Sequence, residues 1–361
     1  MRERARNWVG ESLLELRRNS SKLAVFVVAN IKDVTIVEDD YRGFSVHNDY
    51  MTESVIHGIL QSLREIGIYV ELFIGEDAFI KAVHAGAVEA VARDRKLVLN
   101  LAQSGTGPAR KSLVPCFCNL HHIPYCNSDG HVVALLRHKY HATSILREHG
   151  VSVPQTWLFQ ESGEWLNGKR PPDGMKIIVK PTYEAACIGL SRDSVRHSDA
   201  SLDAFATERA ALMRQPLTVQ EFIQGYEIDV PVFLAPSPAA PMAVGVSVGG
   251  KRDLADDFLD FETLSQRSYD FFDAGEVAGL PADAMCRAAE TAASVLGIEG
   301  YGRIDFRATE FGAFYLIDMQ TMPDIHAQSS VHFAMKSGLV DMADIYPALV
   351  AINCRHLQLF A

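Results

Sequence analysis

Apolar runs and helical periodicities alternate along the first third of the chain. Three continuous apolar runs predict buried β-strands: Lys22–Asn30, Ile68–Ile74 and Lys96–Ala102. Apolar residues at helical spacing predict a helix over Tyr50–Gly67, and an alanine-rich stretch predicts another at Ala78–Arg93. This order of strand and helix is typical of a parallel sheet with crossover helices, so we assign residues 1–127 to an N-terminal α/β domain.

The remainder of the chain mixes short strands with helices. Strands are predicted at Gln155–Phe159, Lys176–Pro181, Leu217–Ile223, Glu227–Leu234 and Met242–Val248. Helices are predicted at Asp129–Glu148, Leu202–Arg214, Ala282–Leu296, Ser329–Ser337 and Met342–Asn353. The charged segment Gly249–Asp273 is predicted as a loop, and a short strand is predicted at Ile123–Cys126. We divide this part into a central α+β unit, residues 128–225, and a C-terminal unit, residues 226–361.

The composition is that of a globular protein, with 48% hydrophobic and 22% charged residues among 361. The net charge is -11 and no run of lysine and arginine occurs, so nucleic acid is not an expected partner. No segment is apolar enough to span a membrane, and Met1–Arg18 is predicted to be an amphipathic helix; we expect a soluble, cytoplasmic protein. The six cysteines lack the paired spacing of a zinc site and are expected to be free thiols.

The strongest chemical signal lies in a predicted hairpin, Tyr301–Ala308 and Ala313–Met319. Within one strand Arg303 and Asp305 point to the same face, and beyond the turn Asp318 and Gln320 do so too. Two carboxylates, an amide and a guanidinium would therefore meet, which suits Mg²⁺ and a transferred phosphoryl group. The alternative is a solvated sheet face with a salt bridge, but both strands are otherwise apolar.

Weaker signals precede the hairpin. Lys180 ends the apolar strand IIVKP, where a lysine is often only an exposed terminator, and Lys139 lies in a helix beside other basic residues. The strand edge at residues 220–223 offers backbone groups to a purine, and Glu227 follows as an acceptor for ribose hydroxyls. None of these features is specific alone.

The order of IVKP, QEFIQGYEIDV, GRIDF and YLIDMQTMP resembles that of ATP-grasp ligases, and most of all the D-alanine–D-alanine ligase family. The resemblance covers most of the chain from about Leu97. It implies a three-domain α/β fold with α+β parts, in which the nucleotide lies between the central and C-terminal domains. It further implies ATP and Mg²⁺ as cofactors, small carboxylate and amine substrates joined through an acyl phosphate, and a homodimer.

The resemblance also implies roles for individual residues. Nucleotide-binding positions are Lys139, Lys180, Glu184, Glu221, Phe222, Ile223 and Glu227. Mg²⁺ ligands are Asp305, Asp318 and Gln320. Arg303 and Lys180 are the catalytic positions, and the substrate-binding positions are Arg303, Asp324, Ser329 and Ser330. Thr182–Gly189 corresponds to a mobile loop that covers the phosphates.

Departures from the family pattern concentrate at the positions that the resemblance assigns to binding of the amino-acid substrates. The family usually has Glu at Asp318 and Asn at Gln320, which are changes of one methylene. Its mobile loop carries serines where residues 185–187 are Ala-Ala-Cys, and Asp324 replaces a glycine that supplies an oxyanion-hole amide. We therefore expect a ligase with other partners than two D-alanines, with Asp324 or His326 as a hypothetical base for the amine. The alternatives are a true D-alanine–D-alanine ligase, a kinase-like ATP-grasp enzyme and a non-catalytic ATP-binding protein.

Overall fold

Three separate β-sheets organise the fold. The computed structural model describes residues 2–234 and 236–361 of the chain. One sheet lies within each of the three segments that the sequence predicts. The exact domain boundaries stay a prediction.

The first sheet is parallel and covered on both faces. Its strands are β1 (Leu23–Ala29), β2 (Tyr69–Ile74) and β3 (Arg95–Leu101), in the order β2-β1-β3. The helices of this part are α1 (Arg2–Asn19), α2 (Glu53–Glu65), α3 (Glu76–His84), α4 (Ala87–Ala90) and α5 (Leu113–Leu120). Val25 and Val27 of β1 share a core with α2, whereas Phe26 and Val28 share another with α3 and α5. All of β1 is therefore buried, as expected of a central parallel strand.

The second sheet is antiparallel. Two helices precede it, α6 (Gly130–Arg137) and α7 (Lys139–Glu148). Its strands are β4 (Thr156–Phe159), β5 (Lys176–Pro181), β6 (Val195–His197) and β7 (Leu217–Glu221), in the order β4-β7-β5-β6. The helix α8 (Leu202–Met213) buries Ala206 and Ala210 in a core shared with Ile177 and Val179 of β5.

The third sheet is also antiparallel and is the largest. Its strands are β8 (Tyr226–Leu234), β9 (Pro238–Ala239), β10 (Val244–Val248), β11 (Tyr269–Asp273), β12 (Tyr301–Ala308) and β13 (Phe314–Gln320). The order is β11-β10-β8-β12-β13, with β9 paired to β8. The helices are α9 (Phe261–Ser265), α10 (Ala282–Leu296), α11 (Ser330–Lys336) and α12 (Ile345–His356). The buried face of α10 packs in one core with β8 and β12.

Single-turn 3₁₀ helices connect these elements. They are Ser20–Lys22, Val46–Asp49, Arg110–Ser112, Leu166–Gly168, Arg192–Ser194, Ala274–Glu276 and Met342–Asp344. Their bounds complete the helical structure of the described residues.

The first and last helices pack together. The structure confirms the amphipathic helix predicted at the N-terminus, and its apolar buried side chains are Ala5, Val9, Leu13 and Leu16. These side chains share a core with α12. The guanidinium carbon of Arg355 also lies 3.8 Å from the centroid of the Trp8 ring. Among the described helices, none has both the length and the apolarity needed to cross a bilayer.

The helix predicted over Asp129–Glu148 is broken at His138. The backbone of His138 has a ψ of 83°, which is not helical, so α6 ends before it and α7 begins after it. The amide of Lys139 donates to the carbonyl of Thr182 at 3.3 Å. A contact with a distant loop thus competes with the local helical pattern and places Lys139 in the first turn of α7.

Three other local predictions were wrong. The helix predicted at Ala78–Arg93 is interrupted at Gly86, which adopts a left-handed φ of 72°. The predicted loop Gly249–Asp273 contains α9 and β11, and β11 extends the third sheet by pairing with β10. The strand predicted at Ile123–Cys126 is only an isolated bridge at Tyr125.

Substitutions in α1 test its packing against α12. Leu16 is fully buried, so Leu16→Ala is expected to lower the free energy of unfolding by about 2–5 kcal/mol. Leu14 is 56% exposed on the other side of the same helix, and Leu14→Ala is expected to change it by less than about 0.5 kcal/mol. Urea denaturation followed by circular dichroism measures both, and equal effects would contradict this packing.

Candidate active site

Three aspartates lie side by side across the third sheet. Asp229 of β8 pairs in register with Asp305 of β12, and Asp305 pairs in register with Asp318 of β13. Cross-strand partners point to the same face of a sheet, so the three carboxylates form one row, called here the aspartate row. The register of β12 and β13 shifts just after this pair, and the bulge lets Ile317 line the same cavity as Asp318.

The aspartate row faces a cavity of about 230 Å³ between the second and third sheets. Lys180 of β5 and Glu221 of β7 line it from the second sheet, and Arg303 and Gln320 line it from the third. The four polar side chains of the predicted hairpin therefore meet on one face. Their individual roles stay predictions.

Arg303 connects two members of the aspartate row. Its Nε and Nη2 atoms donate to the two carboxylate oxygens of Asp305 at 2.6 and 2.7 Å, and Nε lies 3.6 Å from Oδ2 of Asp229. Burial raises the pKa of Asp305 to about 7, although Arg303 opposes the shift. Burial also raises the pKa of Asp229, against the opposing effects of Arg303 and the Ser330 hydroxyl. One guanidinium thus serves two carboxylates that repel each other.

Two buried lysines lie at the third carboxylate. Nζ of Lys139 donates to both oxygens of Asp318, at 2.8 and 3.0 Å. Lys180 is 8% exposed, and burial lowers its pKa to about 8. Burial disfavours the ionised form of Asp318, but the two ammonium groups outweigh it and hold the pKa of Asp318 below its usual value. Two ammonium groups therefore act on one carboxylate, and among the described residues no carboxylate lies within 4.0 Å of the Lys180 ammonium.

Asp305, Asp318 and Gln320 present oxygen atoms on one face. Nε2 of Gln320 donates to Oδ2 of Asp318 at 3.3 Å, which leaves the amide oxygen of Gln320 as its ligand atom. Gln320 is also the cross-strand partner of Arg303. Two carboxylates in register and an amide oxygen are the donors that a hard divalent cation prefers. The residues present therefore fit such a cation.

Four of the seven predicted nucleotide positions lie together along one wall of the cavity, namely Glu221, Phe222, Ile223 and Glu227. Arg307 of β12 holds this wall together. Its guanidinium lies 5.0 Å from the centroid of the Phe222 ring, its Nε donates to the Ile223 carbonyl at 2.9 Å, and its Nη1 lies 3.3 Å from Glu227. Arg307 thus fixes an aromatic ring, a backbone carbonyl and a carboxylate along the same wall of the cavity.

Ser329 and Ser330 also line the cavity. The Ser329 hydroxyl accepts a hydrogen bond from the amide of His332 at 3.2 Å and so caps α11. Because the hydroxyl accepts in this contact, its own proton remains available to a ligand. The Ser330 hydroxyl is buried and has no hydrogen-bond partner among the described residues, so it is also available to a ligand.

The side chains of Asp324 and His326 contact each other. Nε2 of His326 lies 2.8 Å from Oδ2 of Asp324, and Nδ1 of His326 accepts from the amide of Gln328 at 2.9 Å. Both ring nitrogens are therefore occupied. This arrangement disfavours the hypothesis that His326 takes a proton from the amine.

Glu184 lies within a buried charge cluster that joins distant segments. Its oxygens accept from the Tyr41 hydroxyl at 2.8 Å and from Nη2 of Arg110 at 2.9 Å, with Arg137 at 3.7 Å. Arg110 also contacts Asp49 at 3.1 Å. We call these five residues the Glu184 cluster. Glu184 contributes to the cavity lining, but its carboxylate is bonded to the protein, so its predicted contact with the nucleotide stays a prediction.

The sequence analysis missed three residues of the site. Asp229 follows Glu227 by two positions in a strand, so the period-two rule could have placed it on the same face. Arg307 follows Asp305 by two positions, and the same signal applied. Arg110 had no local signal, because its partners come from distant parts of the chain.

The sequence matches known proteins over much of its length. A family model described as D-ala D-ala ligase C-terminus matches residues 146–351. A D-alanine–D-alanine ligase from Aromatoleum aromaticum is 29% identical over 231 residues, which are 63% of this chain and 70% of that protein. A D-alanine–D-alanine ligase from Bordetella pertussis is 28% identical over 233 residues, with the same shares.

Solved structures share the fold. The D-alanine–D-alanine ligase from Bacillus anthracis complexed with ATP superimposes with a TM-score of 0.67 at 12% identity, over 94% of this chain and 99% of that one. The VanG D-Ala:D-Ser ligase from Enterococcus faecalis gives a TM-score of 0.64 at 15% identity, over 92% and 99%. The ATP-grasp fold expected from the sequence is therefore confirmed.

Removal of one charge tests the Glu184 cluster. Glu184→Gln removes the carboxylate nearest to Arg137 and one of the two that contact Arg110, so it is expected to lower the free energy of unfolding by about 3–5 kcal/mol. The matched control is Glu89→Gln, which removes a carboxylate 3.6 Å from Lys96 at the surface and should cost at most about 1 kcal/mol. Chemical denaturation measures both. A loss for Glu184→Gln no larger than that of the control would show that the cluster is not a structural unit.

Proposed function

Because the chain belongs to the D-alanine–D-alanine ligase family of ATP-grasp enzymes, we propose that it joins the carboxylate of one amino-acid-like substrate to the amine of another. The reaction converts ATP to ADP and phosphate. The observation that carries this function is the aspartate row, which lines one cavity together with Arg303, Lys139 and Lys180.

ATP is proposed to bind between the second and third sheets. Its base would contact the wall around Phe222, and Glu227 would accept from the ribose hydroxyls. Its phosphates would lie against Lys139 and Lys180, whose buried ammonium groups interact strongly with anions. A bound purine would thus complete a wall that Arg307 already holds in place.

Mg²⁺ is proposed to bind Asp305, Asp318 and Gln320. When bound, it neutralises phosphate charge and orients the phosphates. Binding requires that Asp318 share its oxygens with Lys139 and that Asp305 release Arg303. The aspartate row is therefore expected to bind the cation together with an anionic ligand, which takes over the contacts that Lys139 and Arg303 give up.

The chemistry has two steps. An oxygen of the substrate carboxylate attacks the γ-phosphorus, ADP leaves, and an acyl phosphate forms. The amine nitrogen then attacks the acyl carbon, phosphate leaves with the former carboxylate oxygen, and the nitrogen loses a proton. Arg303 is proposed to donate to the transferred phosphoryl group and to the tetrahedral oxyanion. Ser329 and Ser330 are proposed to hold the carboxylate of the amine substrate.

We infer that the partners are not two D-alanines. Ala185, Ala186 and Cys187 line the cavity where the family's loop carries serines, so hydroxyl donors are missing there. Asp324, paired with His326, occupies the position of the family's oxyanion-hole glycine. The D-Ala:D-Ser ligase from Enterococcus faecalis shares the fold, which therefore accommodates a different amine substrate.

An ADP-release assay across D- and L-amino acids tests the function. ADP release should require both a carboxylate and an amine substrate. Arg303→Ala should lower the rate by about 10²–10³-fold, because one preorganised donor to the oxyanion is lost. Asp305→Asn should lower it at least as much, because a metal ligand is lost.

Control variants on an exposed face of α10 are Arg287→Ala and Asp283→Asn, which should keep full activity. ADP release without any amine would favour a kinase. Nucleotide binding without turnover would favour a non-catalytic protein, and a strict preference for D-alanine at both positions would refute the inferred partners. Near-normal rates for Arg303→Ala or Asp305→Asn would refute the site.

The lowered pKa of Lys180 predicts a pH dependence of ATP binding. In the free protein Lys180 loses its proton as the pH rises through about 8. ATP prefers the ammonium form, so the Kd should be level below that pH and should rise above it by up to about tenfold for each pH unit.

Isothermal titration calorimetry from about pH 6 to about pH 10 measures this dependence. Lys180→Arg keeps a positive charge over that range and should flatten the profile. A wild-type Kd that does not change above about pH 8 would mean that Lys180 does not contact the phosphates.

A further inference from the structure

We propose that Asp229 is a positioning residue that takes over Arg303 when Asp305 gives its oxygens to Mg²⁺. The inference rests on the proposed function, because it assumes the metal site at Asp305 and Asp318. Asp229 is the third member of the aspartate row, and neither Lys139 nor Lys180 contacts it.

The guanidinium of Arg303 lies between two carboxylates, one of which is closer to it than the other. It makes a bidentate contact with Asp305 at 2.6 and 2.7 Å, whereas Asp229 lies 3.6 Å from its Nε atom. Among the described residues these are the two carboxylates within 4.0 Å of the guanidinium. A shift of about one ångström would therefore turn the second contact into a charge-assisted hydrogen bond.

Asp229 is held in place for this purpose. It is 7% exposed, and it sits on β8 between β10 and β12, so its backbone is paired on both sides. Because both neighbouring strands hold the backbone of Asp229, its carboxylate is attached at a fixed position beside Arg303.

Arg303 needs a second anchor because a metal ligand cannot keep both roles. When Asp305 coordinates Mg²⁺, its bidentate contact with Arg303 weakens or is lost. A buried guanidinium without a carboxylate is strongly unfavourable, so metal binding would be opposed. Asp229 removes this opposition and keeps the guanidinium over the cavity, where the phosphoryl group and the oxyanion would form.

The linkage between Mg²⁺ and ADP tests the proposal without turnover. The Kd of ADP is measured by calorimetry with saturating Mg²⁺ and with EDTA. The ratio of the Kd in EDTA to the Kd in Mg²⁺ reports the contribution of the metal to ADP binding. The ratio is compared for wild type, Asp229→Asn, Arg303→Ala and the double variant. Thermal unfolding of each variant establishes that it is folded, and Asp229→Ser replaces Asp229→Asn if the latter does not fold.

The proposal predicts a dependence on Arg303. Asp229→Asn should reduce the ratio by about tenfold or more, the size of one charge-assisted hydrogen bond. In the R303A background the same substitution should reduce it much less, because there is no guanidinium to hold. An equal or larger reduction in the R303A background would overturn the proposal, since Asp229 would then act on the metal directly. A wild-type ratio near one would instead refute the metal site, and with it the proposed function.

Discussion

The structure depends on one electrostatic constraint: three carboxylates, two of them buried and one half-buried, lie side by side on neighbouring strands and must be balanced by nearby cations. Arg303 comes from the same sheet, whereas Lys139 and Lys180 come from α7 and from the second sheet. The ion pair between Lys139 and Asp318 therefore fixes α7 against the third sheet. Because buried charges interact strongly and are unfavourable when unpaired, the arrangement is stable only when all partners are in place.

The same constraint explains why the site suits phosphoryl transfer. Lys139 and Lys180 place two positive charges beside the single negative charge of Asp318. The carboxylate oxygens of the aspartate row can also coordinate a metal. A triphosphate with its cation satisfies both groups at once. The amino-acid end of the cavity has no such requirement. Under the proposed function, the Asp324–His326 pair and the small side chains at residues 185–187 can differ from those of related enzymes without disturbing this balance of charges.

How much could be predicted from the sequence depended on whether the signal was local. Arg303, Asp305, Asp318 and Gln320 were placed on one face because alternation along a strand is a property of consecutive residues. The break at His138 was missed, because helical periodicity continues through it and a contact with Thr182 interrupts it. The Glu184 cluster joins segments far apart in the chain, so no local pattern marks it. Strand β11 was hidden in a charged segment, and only its pairing with β10 reveals it.

The proposed function requires that a carboxylate be activated by phosphorylation beside the aspartate row and its cations. Transfer of isotope from the substrate carboxylate to phosphate tests it most directly. With the carboxylate substrate labelled with ¹⁸O, phosphorus NMR of the products should show inorganic phosphate that carries one ¹⁸O atom for each amide bond formed. Phosphate free of the label, with the amide still formed, would contradict an acyl phosphate at this site.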